Sequence, residues 1–147
     1  SFLRWEKKYN VEWVASELRV CSPTYKFAGT IDALAVISGK FTILDFKTNN
    51  FLSEDAFLQT AGYQIALEEM LAEPIEIHQR AILRIPKSGE EIDHIIVPTP
   101  LEFDKEVFLH LREIHKWNFY IDKYHRNDAG FIKVEQLDNN RLKTIRL

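Results

Sequence analysis

Two acids and a lysine interrupt an otherwise apolar pair of segments between Phe27 and Asn49, FAGTIDALAVISGKFTILDFKTN, and no other stretch limits the fold as tightly. Ala28 to Ile37 and Phe41 to Phe46 are rich in β-branched and aromatic residues, and Ser38-Gly39-Lys40 separates them, which predicts a β-hairpin. Side chains alternate faces along a strand, so Ile43, Asp45 and Lys47 share one side while Leu44 and Phe46 share the other. Antiparallel pairing brings Asp32, on the first strand, to the end where Asp45 and Lys47 project.

Charges placed there are costly. Two carboxylates side by side raise the pKa of one of them unless a cation neutralises the site, and one lysine offsets only part of that charge. A divalent ion completes the balance: Asp32, Asp45 and a strand carbonyl, that of Phe46, form an oxygen donor set suited to Mg²⁺ or Mn²⁺. Spacing alone leaves a structural salt bridge open as the alternative.

Gly29-Thr30-Ile31-Asp32, then Ile43-Leu44-Asp45-Phe46-Lys47-Thr48, then Gln59-Thr60-Ala61-Gly62-Tyr63 follow in order. The combination of a G-x-x-D strand, a D-x-K-T strand and a Q-x-x-x-Y helix resembles the PD-(D/E)xK nuclease superfamily, and within it the RecB-like exonuclease branch. The resemblance covers about the first half of the chain. It implies a restriction-endonuclease-like core, an α/β fold with a mixed central sheet flanked by helices. It also implies a metal-dependent deoxyribonuclease, exonuclease-like, in which Asp32, Asp45 and the Phe46 carbonyl hold Mg²⁺ or Mn²⁺ and Lys47 positions or deprotonates the attacking water or stabilises the transition state. Gln59 would bond near the scissile phosphate or Lys47, and Tyr63 and Thr48 would meet the DNA backbone. Glu17 stands where related sequences often carry a glutamate, as an additional ligand or a neighbour of one; a cross-strand salt bridge is its other reading. The competing function is a catalytically silent module of the same fold that binds nucleic acid or a partner protein.

At 147 residues, with 46% hydrophobic and 12% aromatic content, the chain suits a single folded domain. Neither a membrane-length apolar run nor a signal-peptide core is visible, which points to a soluble, cytoplasmic protein. Cys21 is the only cysteine, so neither an internal disulfide nor a four-cysteine iron-sulfur cluster can form from this sequence; a small buried hydrophobe is its expected role. The formal charge is −3, and residues 21–100 hold six basic against eleven acidic groups, so DNA-tracking charge would have to come from the termini, other domains or subunits.

Along the chain, Ser1 to Tyr9 reads as the end of a helix in a fragment lacking part of its N-terminal segment, with Glu6 on a solvated face. Val11 to Val20 alternates as a strand, and Ser22-Pro23-Thr24 turns. A helix opens at Ser53, Glu54 and Asp55 and runs to about Ala72; Gln59 and Tyr63 lie one turn apart on it, while Phe57, Ala61 and Ile65 face inward and Ala61 and Gly62 permit close approach to the sheet. Ile75 to Ile85 and Glu91 to Val97 read as strands. Thr99-Pro100 opens a long helix to about Tyr124, whose Val107, Phe108, Leu111, Ile114, Ile121 and Tyr124 would pack on the sheet. The five histidines, 78, 94, 110, 115 and 125, have no metal-ligand spacing, and residues 128–147 suggest a terminal hairpin or an arm onto a neighbour.

Overall fold

The structure, a computed structural model, describes residues 2–49, 51, 53–87, 89 and 91–126; the expected terminal arm lies outside them. The elements are α1 (Phe2–Lys8), β1 (Val11–Ser22), β2 (Phe27–Ile37), β3 (Lys40–Lys47), α2 (Asp55–Met70), β4 (Gln79–Arg84), β5 (Asp93–Ile96) and α3 (Leu101–Arg126). The chain divides into two compact units, Ser1–His110 and Leu111–Leu147, and the whole sheet belongs to the first.

The five strands lie in the order β1-β2-β3-β4-β5. β1, β2 and β3 form an antiparallel meander, and the β2–β3 connection is tighter than expected: Ile37 pairs with Lys40 across a two-residue turn. Ser38 and Gly39 take φ of 50° and 77°, the paired left-handed conformation that matches the twist of a hairpin. β3 and β4 run parallel because α2 carries the chain back across the sheet, and β5 adds an antiparallel edge. The mixed sheet with flanking helices is the expected fold.

Strand alternation sorts the two cores. Ala33, Ala35, Ile37, Leu44, Ala81 and Leu83 meet Trp5 of α1 on one face, with Phe46 against them. Ile43 and Leu34 meet Ala66 and Leu67 of α2 on the other. Asp45 and Lys47 share the parity of Ile43 and so belong to the α2 side.

Several expectations are corrected. β4 begins at Gln79 rather than Ile75, and α2 ends at Met70 rather than Ala72. Cys21 is exposed, since strand alternation turns it away from the face on which its neighbours Val20 and Ser22 are buried. Glu6 accepts a hydrogen bond from the Trp13 indole at 2.5 Å instead of standing free in solvent. The close approach at Gly62 is made by α3, not by the sheet: a Cβ there would lie 2.5 Å from the Phe108 ring. In α3 itself, Asp104 and Phe108, four apart, make the inward contacts, while Leu111 and Ile114 are 46% and 55% exposed. Leu111 and Ile114 of the apolar stripe read from the sequence are thus exposed rather than buried.

His94 lies edge-on to Trp5 and Tyr9, with ring centroids 5.5 and 4.7 Å away, and burial holds its imidazole below the ordinary value of 6.5. The folded state then binds fewer protons than the unfolded chain, so stability is retained above pH 6.5 and is lost as the pH falls toward the folded value. Urea unfolding should show this as an extra slope of up to about 1.4 kcal/mol per pH unit below 6.5. The slope should vanish in His94→Leu; identical profiles for the two proteins would refute the assignment.

Candidate active site

The β2–β3 ladder ends at Ala33 opposite Leu44, one step before Asp32 would pair with Asp45. There the sheet opens, and a side chain replaces the backbone partner: Asp32 Oδ2 accepts the Phe46 N–H at 2.7 Å. In an antiparallel strand a residue's N–H and C=O share an edge, so the Phe46 carbonyl faces the side on which Asp32 stands. Lys47 closes the strand, its own carbonyl accepting the Ile85 N–H on the β4 side at 2.7 Å.

Asp45 is 1% exposed, and the Lys47 ammonium lies 2.8 Å from its Oδ2. Apart from that ammonium, this buried oxygen has no hydrogen-bond partner among the described residues. Burial pushes the Asp45 carboxyl above its ordinary 3.8; the Lys47 bond and charge pull it back, and the Asp32 charge pushes it up again. One ammonium against two carboxylates leaves the site short of positive charge.

α2 supplies the remaining groups at helical spacing. Lys47 Nζ donates to Gln59 Oε1 at 3.0 Å, and Gln59 Nε2 donates to the Tyr63 hydroxyl at 2.5 Å. The Tyr63 phenol is raised above 10.0, mainly by burial, opposed by the Gln59 bond and reinforced by the charges of Asp45 and Asp32. Asp32, Asp45, Lys47, Gln59 and Tyr63 thus form one connected cluster, and Thr48 is exposed at its margin. Glu17 is not brought to it. It sits on β1 between the Ser16–Ala33 and Leu18–Ile31 pairs, at the register position of Asp32, but takes φ of 50° and is exposed. Among the described residues no three His, Cys, Asp or Glu side chains gather as a metal group, so the acidic donors here are two aspartates.

Sequence reading missed the packing that sets Tyr63. A Cβ on Gly29 would lie 2.7 Å from Tyr63 Cε1, so the ring rests directly on the β2 backbone; the glycine of the G-x-x-D motif was the available signal. Gly29→Ala should displace the ring and lower activity by on the order of tenfold to a hundredfold, with a smaller loss in melting temperature than a core truncation produces. Wild-type turnover in that variant would show that the ring position does not matter. Arg80 and Asp104 were also missed. Arg80 NH2 lies 2.7 Å from Asp104 Oδ2 and donates to the Thr99 carbonyl at 3.2 Å, while NH1 reaches the Phe57 carbonyl at 3.3 Å and Thr60 Oγ1 at 3.4 Å. This buried pair ties β4 and the start of α3 to the turn of α2 that carries Gln59; the charge inside the run Gln79-Arg80-Ala81-Ile82-Leu83 was its only trace in the sequence.

A sequence model of the PD-(D/E)XK nuclease superfamily matches residues 1–138. The chain belongs to the PD-(D/E)XK nuclease superfamily. No curated protein matches the sequence. In this superfamily member the D-x-K element is Asp45-Phe46-Lys47 on β3, and Asp32 stands on the neighbouring β2. Among the described residues no helix is long and apolar enough to cross a membrane.

Proposed function

We propose that this superfamily member is a divalent-metal-dependent deoxyribonuclease of the RecB-like branch that degrades DNA from an end. The observation that carries the reading is the buried Asp45 carboxylate, which has an incompletely bonded oxygen and faces a second carboxylate with a single ammonium between the site and neutrality. Hard oxygen donors with surplus negative charge fit Mg²⁺ or Mn²⁺, and Asp32, Asp45 and the Phe46 carbonyl would hold the ion. When bound, such an ion supplies Lewis acidity toward the phosphate and acidifies a coordinated water.

The protein's own groups do the rest. Asp45 and Gln59 fix the Lys47 ammonium from two sides, so that its charge is already placed where negative charge grows on a phosphate under attack. Holding that group in advance avoids the reorganisation a free lysine would need. Gln59 and Tyr63 form a hydrogen-bonded pair beside it that can contact the sugar-phosphate backbone, with Thr48 at the margin. No covalent intermediate is required.

The alternative of a silent nucleic-acid or partner-binding module draws on the formal charge of −3 and on the two-aspartate donor set. Incubation with Mn²⁺ and either linear or closed circular DNA decides between them. Loss of the linear form alone is expected, and no cleavage of either substrate, together with calorimetry showing no saturable Mn²⁺ binding, would leave the silent module.

A further inference from the structure

The parallel strands β3 and β4 stop level with each other, and Lys47 and Arg84 are the last pair of their ladder. Neighbouring strands run about 4.8 Å apart, so the two cations leave the sheet side by side. Parity puts Arg84 on the α2 face with Lys47: Ile82 pairs with Asp45, and Arg80 bonds Phe57 and Thr60 of α2, whereas Ala81 and Leu83 belong to the opposite core. The carboxyl ends of parallel strands are where an α/β sheet receives its ligands. Asp93, which β5 places directly opposite Arg84, holds the guanidinium there. Its Oδ2 accepts the Arg84 Nε–H at 2.6 Å and meets Nη2 as well. The arginine side chain is 15% exposed and the aspartate 43%, so the pair keeps its cation inside and its anion in water.

A cross-strand salt bridge is the ordinary reading of such a pair, and a half-exposed one adds little stability. The scarcity of other cations gives it a second role. Residues 21–100 contain six basic side chains, Lys26, Lys40, Lys47, Arg80, Arg84 and Lys87. Lys40 opens β3 at the end away from Lys47, Lys26 lies in the turn before β2, and Arg80 is buried against Asp104. Arg84 is the one of the six that stands in register with Lys47. A polynucleotide carries a phosphate at every step, so a backbone seated against Lys47 brings a further phosphate toward the neighbouring strand end. The planar fork of arginine matches two phosphate oxygens at once.

We infer that Arg84 is a phosphate contact for the nucleic-acid backbone beside the candidate active site, and that Asp93 holds its guanidinium in place and attenuates its charge. The inference rests on the nuclease reading above and adds to it a binding residue on β4, away from the bond under attack. Binding of labelled linear DNA, single-stranded and duplex, is titrated in Ca²⁺ over a range of salt for wild type, Arg84→Gln, Arg84→Lys, Asp93→Asn and the double variant Arg84→Gln/Asp93→Asn, with steady-state cleavage in Mn²⁺ alongside. Arg84→Gln should weaken binding about tenfold at low salt and make the slope of log K against log salt shallower by about 0.7 on single strands or 0.9 on duplex. Arg84→Lys keeps the charge and should keep the slope. Asp93→Asn should tighten binding about threefold, and the gain should vanish in the double variant, because it acts through the guanidinium. In cleavage, Arg84→Gln should raise KM and leave kcat within about threefold. A purely structural ion pair would lower the melting temperature in either single variant and leave the salt slope alone. An unchanged slope in Arg84→Gln, a gain from Asp93→Asn that persists in the double variant, or no DNA binding by wild type would overturn the assignment. Should Arg84→Gln fail to fold, Asp93→Asn decides: tighter binding supports the contact, and equal or weaker binding overturns it. If wild type binds DNA but cleaves none, the nuclease reading fails while the salt slopes still settle the role of Arg84.

Discussion

Asp45→Asn is expected to lower DNA cleavage by about a thousandfold or more and at the same time to raise the melting temperature of the metal-free protein. The loss of activity follows from removing an anionic oxygen from the donor set and from releasing one of the two groups that fix Lys47. The gain in stability follows from the direction of the Asp45 shift. A carboxyl whose folded pKa is raised contributes stability that is complete below its unfolded value of 3.8 and is lost as the pH rises through the folded value. At neutral pH the ionised, buried group therefore opposes folding, and asparagine removes that charge at nearly the same volume. Lys47 keeps Gln59 and is 28% exposed, so the loss of its ionic partner is softened by solvent. Thermal melts in chelator, set beside cleavage rates in Mn²⁺, check both halves. Added Mn²⁺ should raise the wild-type melting temperature and leave that of Asp45→Asn nearly unchanged. A variant less stable than wild type in chelator would mean that the carboxylate is held for packing rather than for a ligand. Lys47→Ala should lose a comparable share of activity without the rise in stability.

The second large effect is on the fold. Arg80→Met should destabilise the protein by about 3–5 kcal/mol, because Asp104 would be left buried with its charge unpaired and only the Thr99 hydroxyl, 2.7 Å away, to bond it. For a chain of this size that corresponds to a fall of roughly 10–20 °C in melting temperature. The double variant Arg80→Met/Asp104→Leu should recover most of the loss, since an apolar pair of similar volume pays no penalty for desolvated charge. Recovery of stability without recovery of turnover would indicate that the guanidinium also holds the α2 turn through Phe57 and Thr60. Equal stability for wild type and the single variant would show that the pair is not energetically coupled.

The site was legible wherever its order is local. The two-residue period of a strand placed Asp45 and Lys47 together on the face opposite Leu44, and the structure puts that face under α2. The four-residue spacing of Gln59 and Tyr63 put both on one side of a helix, which is where their mutual hydrogen bond forms. Prediction failed where a residue's role depends on a distant partner. Glu17 has the right strand and the right register position, but a left-handed backbone and an exposed side chain leave it outside the cluster. Cys21 was assigned to a core from its residue type, whereas it lies on the face of β1 opposite the buried Val20 and Ser22. The inward face of α3 was read from its apolar stripe, yet a charge, Asp104, is buried at its start, because Arg80 of β4 meets it at 2.7 Å.

By itself, then, the sequence determined which side chains share a face, where the hairpin turns and which three motifs follow one another, because steric alternation and helical pitch act between near neighbours. Only the tertiary structure decided that the β2–β3 ladder stops one step short of Asp32 and Asp45, that Gly29 makes room for Tyr63, and that Arg80 is neutralised from α3. Those outcomes depend on desolvation and close contact between segments far apart in the chain, and neither quantity exists until the chain has folded.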